Sequence, residues 1–271
     1  MKTRILAATA LLPLLLIIVL LAPGICTAVL FGAMAVIGVY ELLWNTGMVK
    51  HLRLNIYTMV MAFLVAIWSY FGANRGVAML GITLFLVALF GEMMHDFEAV
   101  QFQDLTLCLF SGLLVPFLLC SLVRIHTMYL GRFMILVPFV AAFLSDTGAY
   151  FAGRAFGKHK LAPKVSPNKT IEGVVGGVIS AVVGMLIYGL VLRLAFKFRV
   201  YFGYALIYGI LGSLGGVFGD LCFSVIKRQT GIKDYGNLIP GHGGILDRFD
   251  SMMIVGPLME ALLMIIPLAV R

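Results

Sequence analysis

Asp220-x-x-x-Ser224-x-x-Lys227-Arg228 is a dense run of polar chemistry inside an otherwise apolar stretch of chain. On a helix, positions 220, 224 and 227 follow the i, i+4, i+7 repeat, so a carboxylate, a hydroxyl and an ammonium group share one stripe. Asp247 and Asp250 add two carboxylates three residues apart, whose oxygens converge if a helix starts near 247. Carboxylates projecting from two adjacent helices make a site for a hard cation. Magnesium suits it, because that ion is usually held by one or two carboxylates, water and substrate phosphates. Lys227, Arg228, Lys233 and Arg248 are the right inventory for phosphate oxygens, arginine by its planar fork and lysine as a point charge. Gly241, Gly243 and Gly244 let the backbone approach a ligand closely. His242 between them is read as a phosphate contact slightly ahead of a purely structural role.

A second polar stretch runs from Ser145-Asp146 through Arg154 and Lys158-His159-Lys160 to Ser166-Pro167-Asn168-Lys169-Thr170-Ile171-Glu172-Gly173. It reads as an acidic residue near the end of one helix, a basic loop, and a new helix starting at Ser166-Pro167, with serine as cap and proline in the first turn. A helix N-terminus beside lysines favours anions. An ordinary basic loop with an ordinary cap explains this stretch equally well.

The elements that must hold these groups are set by composition. Of the 271 residues 62% are hydrophobic and 12% charged, and the mean hydropathy is +1.06. Soluble domains run near 45–50% apolar and about 25% charged, so a soluble globular enzyme of this size is excluded. A spanning helix needs about 20 predominantly apolar residues. Nine such runs are expected near 5–22, 25–44, 55–71, 77–94, 105–123, 133–152, 172–192, 202–226 and 249–269. The runs are continuously apolar rather than alternating, which indicates helices and not a barrel. The fold is therefore an all-α polytopic membrane protein. Residues 1–131 should supply about five N-terminal spans, and residues 132–271 a catalytic region of about four spans with two basic loops. The first run, after Lys2 and Arg4, is taken as a retained span and not a cleaved signal.

With nine spans, thirteen of the twenty lysines and arginines fall on one side, which the positive-inside rule places in the cytoplasm. The net charge of +8 also draws the protein to anionic lipid heads. Of twelve carboxylates, Asp146, Glu172, Asp220, Asp234, Asp247 and Asp250 crowd the ends of the last four spans. Ionisable residues within spans are costly and mark sites by default, so the chemistry belongs in the second half. Asp96, Glu98 and Asp104 are expected in a solvated connection, and Glu41, Glu92 and Glu260 paired within the bundle or near its boundaries ahead of a functional role. Cys26, Cys108, Cys120 and Cys222 form no C-x-x-C pair and read as buried free thiols. Gly173 with Gly177, Gly212 with Gly216 and Gly215 with Gly219 are small-xxx-small pairs, which pack against neighbouring helices or a second subunit, so that a homodimer is open.

Ser224-Val225-Ile226-Lys227-Arg228, Lys233-Asp234 and the run Leu238 to Asp250 together resemble the signature of phosphatidate cytidylyltransferases, the CDP-diacylglycerol synthases. The stretch from Ser145 to Gly173 is also similar, and the first spans resemble that family only in hydropathy. The resemblance implies transfer of CMP from CTP to phosphatidate, with magnesium, at the cytoplasmic face of a bacterial-type inner membrane. Asp220 and Asp247 would then be metal ligands, with Asp250 and Asp146 as helpers and room for more than one ion. Lys227, Arg228, Lys233 and Arg248 would hold phosphates, joined by Lys169, with Ser224, Arg154 and His242 completing the substrate contacts. Membrane lipids are the surroundings, and no nucleic acid is expected as a partner.

Two other classes fit less well. CDP-alcohol phosphatidyltransferases carry D-G-x-x-A-R and then four-residue aspartate steps, whereas Gly244, Asp247 and Asp250 step by three and Asp146 lacks the arginine. An organic-anion transporter would predict inverted repeats and mid-bilayer polar residues, and neither is evident; a basic lipid-binding scaffold leaves the aspartates unexplained. The orientation is testable with Lys160→Cys in a background whose native cysteines are serine. An impermeant maleimide should label it only after the cytoplasmic face is opened, and labelling of intact cells would reverse the topology.

Overall fold

The computed structural model describes residues 13–72, 74–238 and 243–271. Among these residues seven helices are long and apolar enough to cross a membrane. They are α1 (Gly24–Asn45), α2 (Leu52–Phe71), α3 (Arg75–His95), α4 (Phe102–Thr127), α5 (Gly131–Phe156), α6 (Ile171–Phe196) and α7 (Phe202–Gln229). The first expected span lies partly outside the described residues, and residues 13–21 of it are helical. The last is broken rather than continuous: α8 (Leu246–Phe249) ends in a turn at Asp250–Ser251, and α9 (Met252–Ile265) is only 14 residues long. Asp247 and Asp250 therefore do not share one helix.

The chain divides into two units, and the division is not linear along the sequence. The first comprises Met1–Thr127 with Thr230–Phe249, and the second Met128–Gln229 with Asp250–Arg271. In the first unit α1 lies along α2, and Phe31, Leu42, Leu43, Leu54, Leu105 and Leu122 are fully buried. α3 exposes Val77, Met79, Leu80, Leu84 and Val87. Exposed apolar side chains on a helix of spanning length are the face that lipid covers. Glu92 near its end accepts hydrogen bonds from Arg53 (3.3 Å) and Tyr57 (3.1 Å), and Asp104 caps the start of α4 by accepting from the Gln101 amide.

The second unit is built on close helix approach. α5 and α6 form its main interface, α6 packs on α7, and α7 on α9. A Cβ at Gly148 would collide with Ser180 and stand 2.7 Å from the Gly176 carbonyl, and one at Gly177 would stand 2.9 Å from the Ser145 carbonyl. Gly212 faces Ala141 and Met259, and Gly215 faces Leu258. The small-residue faces are thus occupied within the chain, where lipid-phase packing relies on backbones coming close. Two short antiparallel pairs complete the unit: β1 (Lys160–Ala162) with β2 (Ser166–Thr170), and β3 (Arg199–Val200) with β4 (Ala269–Val270).

All four cysteines are free, but only Cys108 and Cys120 are buried as expected; Cys222 is half-buried and Cys26 is exposed, its position on α1 facing outward. Gly148→Ala should lower the thermal midpoint in detergent, consistent with an overpacking cost of about 1–3 kcal/mol. Gly91→Ala, at a helical position with nothing within 4 Å, should leave the midpoint unchanged or raise it slightly. Equal responses at both positions would contradict the close α5–α6 contact.

Candidate active site

Lys169 is placed by the β1–β2 hairpin. The expected helix start at Ser166-Pro167 is corrected: residues 166–170 are extended and paired with β1, and α6 begins at Ile171. Thr170 is the cap, with φ −125° and ψ 154°, and its Oγ1 accepts the Gly173 amide at 3.1 Å. Proline at 167 donates no backbone hydrogen bond and is compatible with the extended strand. Glu172 holds the other side of the hairpin, accepting from the Lys158 and His159 amides and pairing with His159 Nδ1 at 2.6 Å. Sequence reading missed this role of Glu172 and His159. The signal was an acidic residue in the first turn of α6, where the helix dipole favours a carboxylate.

The hairpin sets the Lys169 ammonium group against the Asp220 carboxylate as an ion pair. Ser224 Oγ, one turn further along α7, donates to Asp220 Oδ1 at 3.2 Å. The expected stripe of 220, 224 and 227 is thus realised, with Ser224 and Lys227 buried and the Asp220 side chain 31% exposed. Asp146, exposed on α5, lies within electrostatic reach of Asp220 and Lys169. Asp250, 9% exposed, lies within reach of Asp220, Asp146 and Lys227, and its Oδ1 accepts the Ser251 amide at 2.8 Å. Gly219 makes this approach possible, since a Cβ there would stand 2.9 Å from the Asp250 carbonyl and 3.1 Å from Ser251 Cα. Three carboxylates and two ammonium groups from four elements of one unit therefore share one neighbourhood.

Arg228 and Arg154 make their hydrogen bonds outside this cluster. Arg228 is exposed and donates to the Val165 carbonyl (3.3 Å), while Arg154 is exposed and donates to the Tyr150 hydroxyl (3.2 Å).

The remaining expected residues belong to the first unit. Lys233, Asp234 and Arg248 are exposed, and His242 lies outside the described residues. Asp247 is 7% exposed, and its Oδ2 accepts the amides of Tyr235 (2.8 Å) and Gly244 (2.9 Å). It therefore organises the loop that carries it. Gly243, at φ +82°, takes the left-handed conformation that this tight return to Asp247 requires. A cavity of about 490 Å³ opens in the same unit beside Tyr40, Glu41, Asn45, Asp234 and Asn237.

The sequence profile of the cytidylyltransferase family matches residues 2–266. The chain belongs to this family. A phosphatidate cytidylyltransferase of Staphylococcus haemolyticus is 36% identical over 272 residues, covering 97% of this chain and 99% of the relative. That of Staphylococcus aureus strain COL is 34% identical over 267 residues with the same coverage, and that of Staphylococcus saprophyticus is 41% identical over 169 residues, 60% of each chain. The similarity spans the N-terminal helices as well as the signature, so the family resemblance is not confined to the second half. This protein is a membrane-embedded nucleotidyltransferase.

Among the described residues no group of three or more His, Cys, Asp or Glu side chains is arranged to hold a metal ion. Magnesium does not need one, since it takes few protein carboxylates and completes its shell with water and phosphate oxygens. The acidic side chains of this cluster, Asp146, Asp220 and Asp250, are carboxylates with neither thiolate nor imidazole beside them in it, and this chemistry fits a hard cation.

Thr170→Ala should cost about 1 kcal/mol of stability by removing the cap, and Thr170→Ser should restore it; thermal melting in detergent measures both. Identical midpoints in the three proteins would show that the cap does not hold the hairpin.

Proposed function

We propose that this protein transfers CMP from CTP to phosphatidate, giving CDP-diacylglycerol and pyrophosphate, at the cytoplasmic face of a bacterial inner membrane. The observation that carries the proposal is the cluster of Asp146, Asp220 and Asp250 with Lys169 and Lys227, in which two of the carboxylates lie within long apolar helices. Full-length similarity to relatives named for this reaction supports it.

Both substrates carry several negative charges, so their approach is repelled in water and the protein must supply countercharge. A phosphatidate phosphate oxygen forms the new bond to the α phosphorus of CTP. The bond from that phosphorus to the bridging oxygen breaks, and pyrophosphate leaves with the electron pair. An ionised phosphate is already a nucleophile, so the residues need not remove a proton from it, and no covalent enzyme intermediate is required. Lys169 and Lys227 are assigned to phosphate oxygens, whose charge they balance as it moves toward the leaving group. Ser224 orients the Asp220 carboxylate. Asp220, with Asp250 and Asp146 beside it, would hold magnesium, which when bound would neutralise phosphate charge. Asp247 as a further metal ligand, and Lys233, Arg228, Arg248, Arg154 and His242 as phosphate contacts, enter the proposal through the signature and its flanking motif. The glycine faces that opened a homodimer are used within the chain, and the mechanism requires no second copy.

Purified protein in detergent with magnesium, labelled CTP and phosphatidate should produce CDP-diacylglycerol and pyrophosphate in equal amounts. Asp220→Asn should reduce kcat by about 10²-fold or more while the melting transition persists. Absence of product across several detergents and divalent ions, or full activity of Asp220→Asn, would overturn the assignment.

A further inference from the structure

The geometry points to Glu41, at the end of α1, as a positioning residue for Asp247; this rests on the proposed transferase reading. Glu41 is 1% exposed and begins a five-residue π-helical turn, Glu41–Asn45, that closes α1. π turns alter the helical register of the side chains that follow and often mark functional positions. One Glu41 oxygen accepts the Ile245 amide at 2.9 Å, and the other accepts the Leu246 amide at 3.0 Å. These are the amides immediately before Asp247, which itself accepts those of Gly244 and Tyr235. Two carboxylates, about 200 positions apart in sequence, thus divide three successive amides of one loop between them.

The surroundings are shaped to this carboxylate. A Cβ at Gly236 would stand 2.5 Å from Glu41 Oε1, and one at Gly244 would collide with both Glu41 oxygens. A Cβ at Gly38, one turn earlier on α1, would stand 3.1 Å from Leu246 Cδ2, so the helix surface also seats the side chain next to the bonded amide. Asn45 Nδ2 donates to the Tyr235 carbonyl at 3.2 Å, tying down the segment whose amide Asp247 accepts.

Glu41 and Asp247 also interact electrostatically as like charges. A neutral acceptor would avoid that repulsion. A carboxylate, by contrast, makes stronger hydrogen bonds to backbone amides and presents two acceptor oxygens in fixed geometry. The arrangement holds the Asp247 backbone rather than touching substrate, so Glu41 is not a catalytic residue. The closing turn of an N-terminal span thereby fixes Gly244 to Asp247 of the signature.

The test is Glu41→Gln in the full-length protein, which keeps the shape but replaces one acceptor oxygen with a donor. The expected result is a fall in kcat of about tenfold or more, with KM for CTP and phosphatidate within about twofold. Hydrogen exchange should accelerate in the peptide spanning 243–249 and stay unchanged in α5 to α7. Gly244→Ala, whose methyl displaces the same carboxylate, should reproduce both effects and carries the test if Glu41→Gln does not fold. Wild-type kcat with wild-type exchange in a folded variant would overturn the inference. So would activity lost only alongside faster exchange throughout the protein, which would make Glu41 merely structural. A wild-type protein inactive in the same assay would instead refute the transferase reading, while the exchange comparison would still decide whether Glu41 holds the loop.

Discussion

Charge at the end of an apolar helix must be balanced by a neighbour, and in the second unit that balance is struck between Asp220 and Lys169. Neither partner is free to choose its position. Lys169 sits on a hairpin strand whose last residue, Thr170, caps α6, so the cation is fixed to the start of a 26-residue helix. Asp220 sits on α7 beside Gly219, where the turn at Asp250–Ser251 comes into backbone contact. The pair therefore gathers groups from widely separated parts of the sequence into one electrostatic neighbourhood. In the proposed reaction this pair would exchange for phosphate and cation, the lysine following a phosphate oxygen and the carboxylate a metal ion. That would be the physical reason for carboxylates in a site that takes two polyanions.

The helices that carry this chemistry are held by close contact more than by large side chains. Gly148, Gly176 and Gly177 bring α5 and α6 together, and a buried hydrogen bond of 2.6 Å between Ser145 and Ser213 ties α5 to α7. In lipid the hydrophobic effect offers little reason for apolar helices to associate, so close packing and buried polar contacts take that role. Rigidity near the site follows from the same contacts: Ser145 precedes Asp146, and Ser213 lies two turns before Asp220.

Much of this was legible in the residues. Seven expected spans correspond to seven helices because a continuous apolar run of about 20 residues has few alternatives in a bilayer. The stripe of Asp220, Ser224 and Lys227 followed from helical periodicity alone. What periodicity does not carry is pairing at long range. The hairpin of residues 160–170 has too few residues to show alternation, and Ser166-Pro167 imitates a helix start so well that the real cap, Thr170, is hidden four residues later. The break at Asp250–Ser251 has no proline or glycine at the turn to announce it. Glu41 gave only the sign that it was an expensive carboxylate in a span; that it serves amides about 200 residues away depends on how the first unit closes on itself.

The central claim is that Asp220 exchanges its lysine partner for a metal ion and substrate. A structure of the protein with magnesium and CTP tests this most directly. The account predicts an ion bonded to the Asp220 carboxylate at about 2.1 Å, with a triphosphate oxygen in its shell and the Lys169 ammonium group turned to phosphate. A bound triphosphate lying elsewhere, with Asp220 still paired to Lys169 and no ion attached, would contradict it.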